Sequence, residues 1–199
     1  MSSPYFGLHV SQWETKTIEM IRSYPMSTDT IVEVVTETWE SIFKSTIGRY
    51  AKIGEHIFPT PQMMGIFVHE LIPLEIATRF PDDWRRDETG DEKDLVYIPD
   101  NQFSTEIKCS SSKNRIFANR SYAQRPTDAK KSKSGYYIAI NFEKFGEREG
   151  LPALRLIRFG WLDHGDWVGQ KAATGQQARL KPDSNAKKLL QLYPVNKVR

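Results

Sequence analysis

Apolar residues recur at helical spacing in the first third of the chain and in β-rich runs through the middle. Residues 14–23 carry the pattern of a helix. A second helix is predicted over residues 28–47, where Ile31, Val34, Val35, Thr38, Trp39 and Ile42 share a face and Ser27 or Asp29 can cap the start. Pro59 and Pro61 mark a break before a third helix over residues 62–79, with Met63, Ile66, Phe67, Leu71, Leu74 and Ala77 as its apolar positions. Pro73 lies inside that stretch and implies a kink or a late restart, because proline lacks the N–H that a helix interior needs. Residues 80–92 read as a polar loop.

The runs Asp94–Ile98 and Phe103–Cys109 are β-rich, and Pro99, Asp100, Asn101 and Gln102 between them have turn composition, which predicts a hairpin. Residues 135–142 and 154–161 predict two more strands. The polar, basic segment 114–131 reads as a loop leading into a helix, and residues 166–173 and 185–193 as short helices. Helices, then a mixed sheet, then helices indicate an α/β class: a central mixed β-sheet flanked by α-helices. A length of 199 residues fits one domain.

Composition narrows the function classes. The apolar runs are far shorter than the ~20 residues of a membrane-spanning helix. The first residues lack the basic-then-apolar order of a secretory signal, and a single cysteine, Cys109, excludes an internal disulfide framework and a cysteine-rich zinc site. An intracellular, cytoplasmic location is therefore expected. The net charge of +3 says little, but its distribution is uneven. Residues 82–94 hold seven acids and three bases, whereas residues 107–135 hold eight bases and one acid. An acidic segment followed by a basic one suggests a metal site beside a polyanion site.

Three residues focus that suggestion: Asp94, Glu106 and Lys108. Glu106 and Lys108 are two apart on a strand, so they point the same way. A three-residue hairpin loop, or a bulge, places Asp94 across from Glu106 or Lys108 on that face. A two-residue loop at Asp100 and Asn101 places it across from Ile107, with its side chain on the other face. Two carboxylates on one sheet face repel each other unless a cation offsets them, and a divalent ion bound through oxygen does so. Magnesium fits, with the Ile107 carbonyl as a further ligand. Lys108 could then orient or help deprotonate an attacking water.

The segments EKDLVYIPD (Glu92 to Asp100) and STEIKCSS (Ser104 to Ser111) resemble the core of the PD-(D/E)xK nucleases. IFANRSYAQ (Ile116 to Gln124) and LIRFGWLDH (Leu156 to His164) resemble type II restriction endonucleases, most closely the ScaI-like group. The resemblance covers roughly residues 63–180 and implies a restriction-endonuclease-like fold and magnesium-dependent hydrolysis of both strands of DNA at a short, palindromic site. It makes Asp94 and Glu106 metal ligands and Lys108 the catalytic lysine, with Glu70 on the preceding helix as the upstream acid. Asp100, directly after Pro99, is a rival to Asp94, and Glu75 a rival to Glu70. Residues 1–60 would form a helical part, 62–165 the catalytic core and 166–199 a helical, DNA-contacting segment.

Lys113, Arg115, Arg120, Arg125, Lys130, Lys131 and Lys133 follow the catalytic strand and suit phosphate contacts. Asn114, Asn119, Arg120 and Gln124, and later Gln170, Gln176, Gln177 and Arg179, suit base edges; Ser111 lies in a serine run suited to phosphate. Cys109 alternates to the face opposite Lys108 and reads as packing. His69, beside Glu70 on the helix, also reads as packing or solvent-facing. Asp163, His164 and Asp166 read as a turn, with Asp166 capping a helix before Trp167. The five tryptophans, at 13, 39, 84, 161 and 167, read as core or interface residues. Cutting both strands of a palindrome calls for a homodimer, for which helices 14–47 are the natural contact, and for a cognate methyltransferase in a bacterial or archaeal cell. A structure-selective repair nuclease and a non-catalytic DNA-binding module are the rival readings.

Overall fold

A computed structural model describes residues 3–124, 132–172 and 174–194. Three helices open the chain: α1 (Trp13–Arg22), α2 (Thr28–Lys44) and, after a short hairpin of β1 (Thr46–Ile47) and β2 (Ala51–Lys52), α3 (Pro61–Arg79). The Ser27 hydroxyl accepts from the Thr30 N–H at the start of α2, and Thr60 caps α3 in the same way through Met63. α2 buries the six positions that its periodicity marks out. It ends at Lys44 rather than at residue 47, because Thr46 and Ile47 pair with β2.

α3 departs from expectation. It buries Met64, Val68, Ile72, Pro73 and Ile76, while Met63, Ile66 and Leu74 are exposed and Phe67, Leu71 and Ala77 half-buried. Apolar residues occur almost all round this helix, so spacing alone selects no single stripe; docking against α2 and the sheet does. The helix runs through Pro73 without a restart.

Six strands form the main sheet in the order β11-β8-β7-β5-β4-β3. They are β3 (Trp84–Arg86), β4 (Leu95–Tyr97), β5 (Thr105–Ser110), β7 (Gly135–Phe142), β8 (Leu154–Leu162) and β11 (Leu189–Tyr193). Only β5 and β7 pair in parallel. A second sheet, β6-β10-β9, contains β6 (Phe117–Asn119), β9 (Trp167–Gly169) and β10 (Gln177–Leu180). A short helix, α4 (Pro182–Lys187), precedes β11.

β7 is buried along its whole length because both of its faces are covered. Tyr136, Ile138, Ile140 and Phe142 join the core beneath the helices, whereas Tyr137 and Ala139 join a second core with Ile116, Tyr122, Trp167, Ala178 and Leu180 from the small sheet and its flanks. Gly160 of β8 is required there, since a Cβ would lie 1.9 Å from the Lys188 carbonyl oxygen.

Four expectations are corrected by these pairings. Residues 84–86, placed in a loop, form an edge strand on β4. Segment 114–131 contains strand β6 and a 3-10 turn at Arg120–Ala123, and residues 125–131 lie outside the described part. Residues 167–169 are β9 rather than helix. Residues 189–193 are a strand on the edge of β8, preceded by α4. Each of these strands is short, and β6 and β11 gain their hydrogen bonds from partners remote in sequence, which local pattern does not reveal. Among the described residues no helix is long and apolar enough to cross a membrane.

Candidate active site

The hairpin settles which residues can meet. Leu95 pairs with Thr105, so Asp94 and Glu106 are the next positions outward along the same antiparallel ladder and share a face. The connection Ile98–Ser104 is longer than a tight turn, but it holds an odd number of residues and so keeps the parity of a three-residue loop. Asp100 sits in this connection, exposed, with its carboxylate accepting from the Gln102 N–H at 3.0 Å. It caps a 3-10 turn and is not brought to Glu106.

β4 begins at Leu95, so the edge of β5 from Ile107 to Ser110 pairs with no strand on that side. An open cleft of about 680 Å³ runs along this edge. Gly65, Ile66, His69 and Glu70 of α3 form one wall, Phe117 and Gln177 of the small sheet another, and Lys108 with Ser110 to Ser112 the floor.

Behind this lining, Asp94 contacts His69 and Glu106 contacts Lys108; both acids are nearly inaccessible, Asp94 at 5% and Glu106 at 1% relative exposure. Buried carboxylates persist only when compensated. Asp94 Oδ2 accepts from the Ile107 N–H at 2.6 Å and lies 3.3 Å from His69 Nε2. Burial alone would raise the Asp94 pKa, but His69, the nearby Lys108 and the Ile107 N–H together hold it well below the usual carboxylate range. Its hydrogen bond to Asp94 raises the His69 pKa against the opposing effect of burial.

Glu106 Oε1 accepts from Lys108 Nζ at 2.8 Å and from the Tyr122 hydroxyl, and Lys93 Nζ lies 3.8 Å from Oε2. Lys108 Nζ also reaches the Ile107 carbonyl at 3.2 Å and sits over the Tyr122 ring. Burial, and then the neighbouring Glu106, keep the Tyr122 hydroxyl protonated far above its ordinary pKa, so it acts as a donor. Burial pushes the Cys109 thiol up to about 12, which suits packing and not attack.

Glu70 is exposed, pairs with Arg86, and lies 3.5 Å from His69 Nδ1. His69 thus stands between the two acids, contrary to its reading as packing or solvent-facing: neighbouring helix positions diverge, but the imidazole presents a nitrogen to each side. Glu75 is tied to Arg79 at 2.7 Å in a network with Glu33 and Glu37, outside the cleft. Asp163 and Asp166 form a 3-10 turn around His164. Asp166 caps no helix before Trp167, where β9 follows; its buried carboxylate accepts from the Asp163 N–H at 2.8 Å and pairs with Lys188 Nζ at 2.7 Å and with the Ser184 hydroxyl.

Among the described residues no three His, Cys, Asp or Glu side chains converge on one metal position. Asp94 and Glu106, at facing positions of one ladder, and the carbonyl of Ile107, next to Glu106 in β5, offer hard oxygen donors of the kind that suit magnesium or a similar divalent ion. Lys108 meanwhile holds both Glu106 and that carbonyl.

The DNA-contact candidates separate into groups. Ser111, Lys113, Asn114 and Arg115 lie on the turn after β5, and Asn119, Gln177 and Arg179 on the small sheet. Gln124 and Gln176 are exposed. Arg120 has an internal structural role: its Nη1 donates to the Ala172 and Gly175 carbonyls at 3.1 and 3.2 Å. Gln170 Oε1 accepts from the Gln177 N–H at 3.3 Å inside the same loop. Lys133 lies over the Tyr122 ring, while Arg125, Lys130 and Lys131 are outside the described residues.

The local pattern does not single out Lys93, Tyr122, Asn141 or Arg158. Asn141, fully buried, donates through Nδ2 to the Ser112 and Arg115 carbonyls at 2.9 Å and accepts from Arg158 Nη2 at 2.9 Å. Arg158 Nη1 donates to Asn185 Oδ1 at 2.8 Å, and burial lowers its pKa to about 10. The available clue was Asn141, a polar amide within the otherwise apolar and aromatic run of β7.

Comparison with known proteins agrees with this geometry. The family model described as ScaI restriction endonuclease matches residues 3–193. The type II restriction enzyme ScaI of Streptomyces caespitosus is 49% identical over 193 residues, which span 96% of this chain and 85% of that enzyme. With a hairpin that sets Asp94 opposite Glu106 and a match running from residue 3 to residue 193, the chain belongs to the ScaI restriction endonuclease family.

Proposed function

We propose that this type II restriction endonuclease hydrolyses phosphodiester bonds of double-stranded DNA at a specific short palindrome, with magnesium as its metal. Family membership makes it a site-specific DNA endonuclease, and type II restriction enzymes in general work with a divalent metal ion. The observation that carries the assignment of residues is the face shared by Asp94, Glu106 and Lys108, the last of which lines an open cleft.

In this reading Asp94, Glu106 and the Ile107 carbonyl hold the ion. The ion would supply Lewis acidity at the phosphoryl oxygen and lower the pKa of a nearby water. Lys108, bonded to Glu106, orients that water and offsets charge developing on the phosphate. Tyr122 holds Glu106 through the same oxygen as Lys108, and Lys93 approaches the other oxygen. Glu70 lies one imidazole away from Asp94 and serves as the upstream acid once His69 turns aside. Lys113, Arg115 and Ser111 on the turn after β5 position the DNA backbone. The enzyme acts as a homodimer in the cytoplasm of a bacterial or archaeal cell, where a cognate methyltransferase protects the host's own sites.

The test is digestion of phage DNA by the purified protein, with magnesium and with EDTA, beside Lys108→Ala. We expect discrete magnesium-dependent fragments that the variant fails to produce, and sequenced fragment ends then give the site. Intact duplex left uncut by a folded, DNA-binding wild type under every divalent metal would overturn the assignment.

A further inference from the structure

β6 and β10 form an antiparallel ribbon in which Asn119 faces Gln177, Ala118 faces Ala178 and Phe117 faces Arg179. Alternation divides its side chains cleanly. Ala178 and Leu180 enter the second core with Tyr137 and Ala139, and Ala118 packs against it. Phe117, Asn119, Gln177 and Arg179 therefore point outward, and all four are exposed. Val168 of β9, opposite Arg179, extends the same face at 38% exposure.

This face borders the candidate active site, because Phe117 and Gln177 line the same cleft as Lys108. The three strands contain no acidic residue, and the side chains of Asn119, Gln177 and Arg179 have no hydrogen-bond partner within the described residues. Nearby Lys113, Arg115 and Lys181 form no ion pair with the described residues. The surface is thus one-signed, uncommitted and adjacent to the reacting centre. Arg120 and Gln170, in the same sheet's connections, are by contrast committed to internal hydrogen bonds.

We propose that the outward face of the β6–β10 ribbon is the base-reading surface, entering the major groove of duplex DNA. The proposal rests on the endonuclease reading above and goes further in naming the reading residues. A major groove about 12 Å wide admits a two-stranded ribbon. Arg179 can donate two hydrogen bonds to a guanine edge, Asn119 and Gln177 can each bond an adenine edge in bidentate fashion, and Phe117 can contact a thymine methyl group. Lys113 and Arg115 contact phosphates instead and carry no sequence information.

The experiment uses the full-length protein and two duplexes of equal length, one bearing the site mapped from wild-type fragments and one scrambled. Binding is read by fluorescence anisotropy with calcium replacing magnesium. Arg179→Ala and Gln177→Ala should each reduce the preference for the mapped duplex by about tenfold or more, with affinity for the scrambled duplex changed less than about threefold. Lys113→Ala should weaken both duplexes alike. Melting temperatures of these surface variants should match the wild type. If Arg179→Ala and Gln177→Ala weaken both duplexes equally, or neither, the ribbon does not read bases, although the endonuclease assignment stands. If the wild type yields no discrete fragments and no preference, both proposals fall.

Discussion

Glu106 is the most enclosed acid of the candidate active site, and the groups that compensate it come from separate parts of the chain: Lys108 from its own strand, Lys93 from before β4, Tyr122 from the turn after β6. The Tyr122 ring also lies under the ammonium of Lys108, so one side chain contacts both Glu106 and Lys108. Tyr122→Phe keeps the ring and its packing on Trp167 but removes the donor. We expect this variant to stay folded and to lose about tenfold to a hundredfold in cleavage rate, the usual effect of removing a group that orients a metal ligand. A single-turnover assay at saturating enzyme measures it, and a rate within twofold of wild type would remove Tyr122 from the mechanism. The shared face of Glu106 and Lys108 was legible in the sequence because strand alternation needs only spacing, whereas Asp94 was one of two candidates until the register was fixed. His69, Lys93 and Tyr122 were not, because they reach the acids from α3, from the segment before β4 and from a 3-10 turn, and nothing in their neighbours reports that approach.

Among the elements, the turn between β5 and β6 shows how the sheet supports a binding loop. Its carbonyls at Ser112 and Arg115 are held by the buried amide of Asn141 in β7, which is in turn held by Arg158 in β8. A buried guanidinium with two amide oxygens as acceptors costs desolvation, visible in its lowered pKa of about 10. Asn141→Asp keeps the acceptor for Arg158 and adds a countercharge, yet removes both donors to the turn. The variant should fold, bind duplex DNA about tenfold more weakly, and cut bound DNA at a rate within about threefold of wild type. A raised KM with kcat little altered is the signature to look for; an unchanged KM would show that the turn holds its shape unaided. Helix α3 carries a different lesson: its existence and extent follow from capping and propensity, but its inward face follows from what it packs against.

At the scale of the whole molecule, two sheets meet face to face over Tyr137 and Ala139, and the helices occupy the other side of the main sheet. α1 and α2, the expected dimer contact, bury apolar positions in their own core. Exposed apolar side chains follow them instead, at Ile47, Tyr50, Phe58, Met63 and Ile66, with Tyr50 at 74% and Phe58 at 63% exposure. If the proposed homodimer forms through this stretch, light scattering should give a mass about twice 23.0 kDa for the wild type and a single-chain mass for Tyr50→Glu combined with Phe58→Glu. A monomeric wild type at micromolar concentration would exclude a stable dimer in the absence of DNA. A double variant that stays dimeric would place the contact elsewhere.

The sequence by itself determined the α/β class, the first three helices within a few residues, the hairpin, and the shared face of Glu106 and Lys108. Each of these depends on periodicity, capping or turn chemistry, which act between residues close along the chain. Only the tertiary structure decided that Asp94 and not Asp100 stands opposite Glu106, since that depends on the length and parity of the connection between the two strands. It also decided that residues 117–119, 167–169 and 177–180 are strands of one small sheet, because strands this short exist only through their pairing and β6 finds its partner, β10, remote in sequence. The exposed ribbon and the enclosed carboxylate are products of the same docking event: the small sheet places Ala178 and Tyr122 inward and so leaves Asn119, Gln177 and Arg179 facing out.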